Sequence, residues 1–336
     1  MKEALFYEKL ENDNVRCRLC NHFCVIGKGR FGRCGVRKNS GGVLTTHTFG
    51  NLIAENSDPI EKKPLYHFLP GSRTYSIAAP GCNFQCRFCQ NWQISQAQGR
   101  MLPLINKSFT TRSIVDAAKK NGCKSIAFTY TEPTVFYEMV KSVAECIIPE
   151  DELKLVMVSN GYMSRECLDD LNKYIDAYNI DLKSFSDIFY QKNCGGRLSP
   201  VLENIKHISN NNKWIEVTTL VIPGENDSVS EIDEIAHFIS EVDTNIPWHI
   251  SRFFPNFKMT NLSVTGEKSL ESAKKSGSNH QLNYVYVGNT SEDSSTCCPA
   301  CGRVVIVRNR YSLLKNEITS TGQCTTCGTS IEGFWG

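Results

Sequence analysis

The sequence predicts an α/β fold, a partial (β/α)6 barrel with a small cysteine-rich, metal-binding flank at each end. Three observations predict it. Between about residues 75 and 252, short apolar runs rich in β-branched residues alternate about six times with helix-like stretches. The polar residues suited to chemistry fall at the C-terminal ends of those runs, the edge on which barrels assemble their sites. Finally, eleven of the 16 cysteines form three short groups, two of them outside this repeat.

The runs are TYSIAA (74–79), KSIAFTY (124–130), LKLVMVS (153–159), AYNIDL (177–182), WIEVTTLVI (214–222) and WHISRF (248–253). Amphipathic stretches between them include SIVDAAKKN (113–121), TVFYEMVKSVAECI (134–147) and VSEIDEIAHFISEV (229–242). Such alternation implies parallel strands with helices outside, in an open doubly wound sheet or a barrel. The run ends decide between them. A cysteine group follows the first run, Thr131-Glu132-Pro133 the second and Asn160-Gly161 the third. Asp181 and Lys183 bracket the end of the fourth, Pro223-Gly224 follows the fifth, and Arg252 ends the sixth. Six site-bearing edges around one centre favour the barrel. The expected divisions are a cysteine-rich region at 1–73, the barrel at 74–289 and a zinc ribbon at 290–336.

Bulk properties exclude several roles. Lys and Arg number 37 against 35 Asp and Glu, a formal charge of +2, so no basic field for nucleic acid or membrane is present. The opening MKEALFYEKLENDNVRC carries charges where a signal peptide needs its apolar stretch. Nowhere do about 18 apolar residues run together. A soluble, cytoplasmic protein is expected, and there clustered cysteines read as metal ligands rather than disulfides. Cys123, Cys146, Cys167, Cys194 and Cys297 are scattered and read as spectators.

The central group, Ala79-Pro-Gly-Cys82-Asn-Phe-Gln-Cys86-Arg-Phe-Cys89, carries the chemistry. Three thiolates at C-x3-C-x2-C spacing can ligate three irons of a cubane, and the next cysteine downstream is Cys123. One iron is left open, as a vacant position marks a catalytic zinc. A structural zinc site and three merely buried cysteines are the competing readings, but zinc wants a fourth ligand that this spacing lacks.

This spacing, with Phe88 before the third cysteine, resembles the signature of the radical S-adenosylmethionine (SAM) superfamily. The resemblance implies that Cys82, Cys86 and Cys89 hold a [4Fe–4S] cluster whose open iron SAM chelates. One electron then splits SAM into methionine and a 5′-deoxyadenosyl radical that abstracts hydrogen. Thr131-Glu132-Pro133 resembles the family's acidic motif for the SAM amino group. Ser159-Asn160-Gly161 resembles the Thr-Asn-Gly turn of glycyl-radical activases, with Val158 where those proteins carry Asp. Asp181-Leu-Lys183 resembles their Asp-Leu-Lys, whose lysine meets the SAM carboxylate. Val221-Ile-Pro-Gly224 resembles their Val-Pro-Gly, and His249 or Arg252 is placed to reach the ribose.

In the C-terminal flank, Cys298-Pro-Ala-Cys301 and Cys324-Thr-Thr-Cys327 have zinc-ribbon spacing, with VVIVRNRYSLL between them as hairpin material. A piece of about 40 residues buries too little core alone, so metal should hold it together. The N-terminal group, Cys17, Cys20, Cys24 and Cys34, suggests a closed four-thiolate site holding zinc or an auxiliary [4Fe–4S] cluster. Gly27-Lys-Gly29-Arg-Phe-Gly32 inside it matches GxGxxG only formally, since no apolar strand precedes it.

Over its whole length the chain resembles the radical SAM enzyme of the AmmeMemoRadiSam system, a group often labelled pyruvate formate-lyase activating enzyme-like. The pieces that carry this are CRLCNHFC, GRCGVR, APGCNFQCRFCQNWQISQ, YTEPT, NIDLKS, PWHISRFFP and the tail ending EGFWG. Phe254 stands where many members of that group carry His. The resemblance implies an electron donor of flavodoxin or ferredoxin type, and Memo-type and AMMECR1-type partners or a protein substrate in trans. Hydrogen abstraction from a protein, radical chemistry on a small molecule and a non-catalytic metal scaffold are the three readings left open here.

Overall fold

The computed structural model describes residues 2–96, 109–290 and 294–336. Its centre is one eight-stranded sheet. In chain order the strands are β1 (Ala54–Pro59), β2 (Arg73–Ala78), β3 (Ser125–Phe128), β4 (Lys154–Ser159), β5 (Ala177–Asp181), β6 (Trp214–Val221), β7 (Trp248–Arg252) and β8 (Val285–Gly288). They lie in space in that same order. β1 is antiparallel to β2, and every later pairing is parallel. A doubly wound sheet reverses its strand order once, and this one does not. Right-handed crossovers that always step the same way put their helices on one face, which curls the sheet toward a barrel. Among the described residues β1 and β8 do not pair, so the barrel is open.

The crossovers carry α1 (Thr111–Lys120), α2 (Tyr137–Cys146), α3 (Arg165–Leu171), α4 (Ser199–Asn210), α5 (Val229–Val242) and α6 (Glu267–Asn279). The starts of three are set by side-chain caps. Thr110, Ser164 and Ser228 accept the N–H groups of Ser113, Cys167 and Glu231, donors that a helix cannot satisfy internally. Each helix buries an apolar stripe on the sheet, such as Ile205 and Ile208 of α4 or Ile235 and Ile239 of α5. The inner face is filled differently. The segment around residues 60–69 packs Ile60, Leu65 and Phe68 on Ala127, Val156 and Ala177. Buried Glu216 fixes this segment, accepting the backbone N–H groups of Tyr66 and His67 at 2.9 and 2.8 Å.

The six expected strands correspond to β2–β7. The sheet is larger than the expected six, gaining β8 and the antiparallel β1, and β1 precedes residue 74, where the barrel was expected to start. β1 reads AENSDP, polar and ending in proline, which only an edge strand tolerates.

The flanks are small antiparallel sheets. Two lie at the N-terminus: one joins Lys2–Glu3, Leu44–Thr46 and Arg37–Asn39, the other Tyr7–Lys9, Val15–Cys17 and Val25–Ile26. At the C-terminus Thr296–Cys297, Val304–Asn309 and Ser312–Asn316 form the third, including the hairpin expected there. It docks through buried Arg308, which donates to Tyr66 O at 2.6 Å and lies over the Tyr66 ring. Among the described residues no helix is long and apolar enough to cross a membrane.

Candidate active site

Parallel strands bring their C-terminal ends to one rim, and a cavity of about 480 Å³ opens there. The loop after β2 carries Cys82, Cys86 and Cys89 to its wall, with Phe84 and Phe88 beside them. Thr131 and Glu132 come from the end of β3, Ser159 and Asn160 from β4, and Asp181 and Lys183 from β5. Of the residues expected to hold the cluster or SAM, Cys82, Cys86, Phe88, Cys89, Thr131, Glu132, Ser159, Asn160, Asp181 and Lys183 therefore meet at this cavity, while His249 and Arg252 do not.

Local chemistry holds each in place. Gly81, at φ +95°, bends the chain into the cysteine loop, and a Cβ there would lie 2.6 Å from Val36 Cγ1 and 2.9 Å from Cys34 O. The loop's far side is pinned by Gln85 N–H to Cys194 O at 2.8 Å and Arg87 N–H to Asn193 O at 2.9 Å. Thr131 donates its hydroxyl to Ala79 O at 2.7 Å, tying the end of β3 to that loop.

Glu132 is 1 % exposed. Its Oε1 accepts from Thr134 N–H and from the hydroxyls of Thr134 and Ser159, at 3.0, 2.6 and 2.8 Å. Among the described residues its Oε2 accepts only Asn160 N–H, at 2.9 Å, and so keeps a lone pair to offer. Burial pushes this carboxyl up, against those donors. Asn160 in turn gives its amide to Asn83 Oδ1 at 2.7 Å, beside Cys82. Burial pushes Lys183 down, but Asp181 at 2.8 Å and then Cys86 hold it well above its usual value.

His249 lies elsewhere. Its Nε2 is 2.6 Å from Glu216 Oε2, and its ring stacks on Tyr286. It lines an adjoining cavity of about 600 Å³, together with Arg252 and the half-exposed Phe254. The two cavities share Lys62, Thr218, Ser251, Asn289 and Tyr311.

The sequence profile described as Radical SAM superfamily matches residues 76–239. An uncharacterized protein of Methanocaldococcus jannaschii is 40 % identical over 336 residues, covering 99 % of both chains. The chain belongs to the radical SAM superfamily. Another protein of that organism, provisionally named a glycyl-radical enzyme activating enzyme, is 26 % identical over 58 % of this chain and 73 % of its own length. Among solved structures, a radical SAM methyltransferase from Sphaerobacter thermophilus aligns with a TM-score of 0.53 at 13 % identity, over 66 % of this chain and 68 % of its own. Streptococcus suis SuiB bound to S-adenosylmethionine aligns at 0.50 and 16 % identity, over 68 % of this chain and 53 % of its own, so the match spans about half of that protein. These likenesses bear on the fold.

Radical SAM membership implies a [4Fe–4S] cluster and SAM. The residues present fit both. Among the described residues no three of the cavity's ligating groups have donor atoms all within 4.8 Å of one another, as a single ion would want. Wider-set thiols suit a polynuclear cluster instead. Cys194, expected to be a spectator, lies beside the Cys86 thiol and pulls it down. It is buried and does not line the cavity.

Several lining residues carry no sequence signal. Lys62 and Lys63 reach the rim from the inner segment, both paired with Asp58, at 3.0 and 2.7 Å. Ser95 Oγ lies 3.2 Å from Cys89 Sγ. Tyr311 arrives from the turn of the C-terminal hairpin. In the C-terminal flank, Cys298, Cys301, Cys324 and Cys327 have their sulfurs all within 4.8 Å. Their two knuckles share one pattern. Cys298 and Cys324 N–H donate to Arg303 O and Thr329 O, and Gly302 and Gly328 N–H donate back to those cysteines.

Proposed function

We propose that this radical SAM protein is a SAM-cleaving enzyme of the AmmeMemoRadiSam, pyruvate formate-lyase activating enzyme-like group. The observation that carries the reading is the meeting of three cysteines, a buried carboxylate and a Lys–Asp pair on one cavity, from the ends of β2, β3 and β5. Cys82, Cys86 and Cys89 hold the [4Fe–4S] cluster. With SAM bound, such a cluster would supply a 5′-deoxyadenosyl radical by one-electron cleavage.

The chain's own residues do the positioning. The free lone pair of Glu132 Oε2 takes the SAM amino group, with the Thr131 backbone beside it. Lys183, held protonated, faces the SAM carboxylate, and Asp181 fixes its direction. Ser159 and Asn160 hold the Glu132 carboxylate through the bonds described above, and Phe84 and Phe88 keep water from the cluster. His249, set by Glu216, bounds the far side toward the ribose.

The C-terminal flank is a zinc ribbon. Tetrahedral zinc at Zn–S of about 2.3 Å sets sulfurs about 3.8 Å apart. The Cys298–Cys327 and Cys301–Cys324 pairs, at 3.6 and 3.9 Å, agree with that spacing. The N-terminal region, barrel and ribbon form three units of one cytoplasmic enzyme. It is served by a flavodoxin- or ferredoxin-type donor and works beside Memo-type and AMMECR1-type proteins.

Hydrogen abstraction from a protein in trans is the first reading of the substrate, supported by the relative named as an activating enzyme. The adjoining cavity of about 600 Å³, walled by Arg252 and Arg310, favours a small molecule as the second. Anaerobic reconstitution with SAM-cleavage assays tests the core of the proposal. Replacing Cys82, Cys86 or Cys89 with Ala should abolish 5′-deoxyadenosine formation, and retained formation refutes the reading. Glu132→Ala should keep the iron and weaken SAM binding about tenfold or more, the worth of one charge-assisted hydrogen bond. Unchanged affinity would remove Glu132 from the site.

A further inference from the structure

The N-terminal cysteines stand apart from the chemistry described so far. Cys17, Cys20, Cys24 and Cys34 line one small cavity with His22, Arg37 and Asn83. Their spread differs from that of the ribbon. Among the described residues the ribbon set is the one group whose donor atoms all lie within 4.8 Å, so no three of the N-terminal sulfurs are that close. Two orphaned donors line the same cavity. Asn83 Nδ2 and Arg37 Nε are buried without a hydrogen-bond partner, on side chains 0 % and 1 % exposed. A buried donor left unpaired is costly, and a cluster that brings bridging sulfides as well as thiolates offers acceptors for both. A second Arg37 nitrogen already donates to Cys17 Sγ at 3.3 Å.

We propose that Cys17, Cys20, Cys24 and Cys34 hold a second [4Fe–4S] cluster, one residue away from the first, and that it feeds the first with electrons. The relay rests on the radical SAM reading above; the second cluster does not. Asn83 makes the juxtaposition, because it directly follows Cys82, lies with its Oδ1 3.8 Å from Cys82 Sγ, and lines the N-terminal cavity. His22, between Cys20 and Cys24, bonds Asn83 O at 2.8 Å, and Gly81 sits against Cys34 O. Four cysteines close the second cluster to SAM, which leaves it an electron carrier. In each turn it is oxidised by one electron as the SAM-binding cluster is reduced. That electron then enters the S–C5′ bond, which breaks to methionine and the adenosyl radical. A one-electron donor of flavodoxin or ferredoxin type restores the second cluster.

The test uses the full chain, reconstituted anaerobically, beside the triple variant Cys82→Ala/Cys86→Ala/Cys89→Ala. The wild type should hold about eight irons, and the triple variant about four with a reduced-state paramagnetic signal that ignores added SAM. Retained zinc in the ribbon reports that the variant is folded. Zinc in place of iron at the N-terminal set, or an iron-free but zinc-bearing variant, overturns the second cluster. For the relay, reduced wild type freed of reductant is mixed with excess SAM and methionine is counted. Two electrons held per chain should release about two methionines, and one methionine overturns the relay. No methionine at all, with four irons in the variant, leaves the second cluster standing and sinks the SAM reading on which the relay rests.

Discussion

Arg37 and Glu138 form a buried ion pair between the N-terminal flank and α2, with side chains 1 % and 0 % exposed. The pair also staples the chain at Leu5. Leu5 N–H donates to Glu138 Oε1 at 2.7 Å, and Arg37 donates to Leu5 O at 2.9 Å. Glu138→Gln keeps the shape and an acceptor for Leu5 but takes away the carboxylate, leaving the charged guanidinium only Leu5 O and, at 3.3 Å, the Cys17 sulfur. Breaking a buried pair this way costs about 3–5 kcal/mol. At about 2 °C per kcal/mol for a large chain, the melting temperature should fall by about 6–10 °C. Arg37→Met with Glu138→Leu removes both charges together. Its cost should be nearer 1–2 kcal/mol, mostly from the Leu5 backbone groups that lose these part-buried partners. Anaerobic thermal and urea unfolding of the two single variants and the double variant measures this as a coupling energy. A Glu138→Gln cost under about 1 kcal/mol, or a double variant as damaged as the sum of the singles, would refute the reasoning.

Two further outcomes follow from other parts of the fold. His67 is buried between Glu332 O at 2.7 Å and the Tyr286 hydroxyl at 2.6 Å, so a neutral ring donates to the first and accepts from the second. Burial pushes it down to about 4, with Glu216 pulling the other way. The unfolded chain therefore binds the extra proton first, and stability present above about pH 6.5 should decline by about 3 kcal/mol toward pH 4. His67→Gln should lack that share of the acid sensitivity, and identical pH–stability curves for the two proteins would contradict the assignment. In the ribbon, Cys301→Ser should lose about one zinc per chain and open the last 40 or so residues to protease while the iron content holds. Full zinc retention with unchanged protease resistance would show that metal is not what holds this flank.

Much of the barrel was legible because its central strands are buried on both faces and so read as β-branched apolar runs, as in LKLVMVS. The edges were not. β1 is polar and β8 is only Val285–Gly288, while α6, EKSLESAKKSGSN, has too few apolar residues to mark its buried stripe. At the site, order along the chain was enough to bring the cysteines, Glu132, Asn160 and Lys183 together, because each follows a parallel strand. His249 precedes the end of β7 and points into the Glu216 network instead, a partnership 33 residues away that no local pattern encodes. The contributions of Tyr311 and Lys62 depend on how distant segments dock over the rim, and docking leaves no periodic trace in the sequence.

The contact at Gly81 bears on how such a protein can change over time. Because a methyl group there would strike both Val36 and the carbonyl of Cys34, the catalytic loop and the leading segment were shaped as one piece. A barrel grafted onto a foreign leader would meet that collision first. Drift in either partner is tolerable only when the other drifts to match, so lineages should inherit the two together or lose them together.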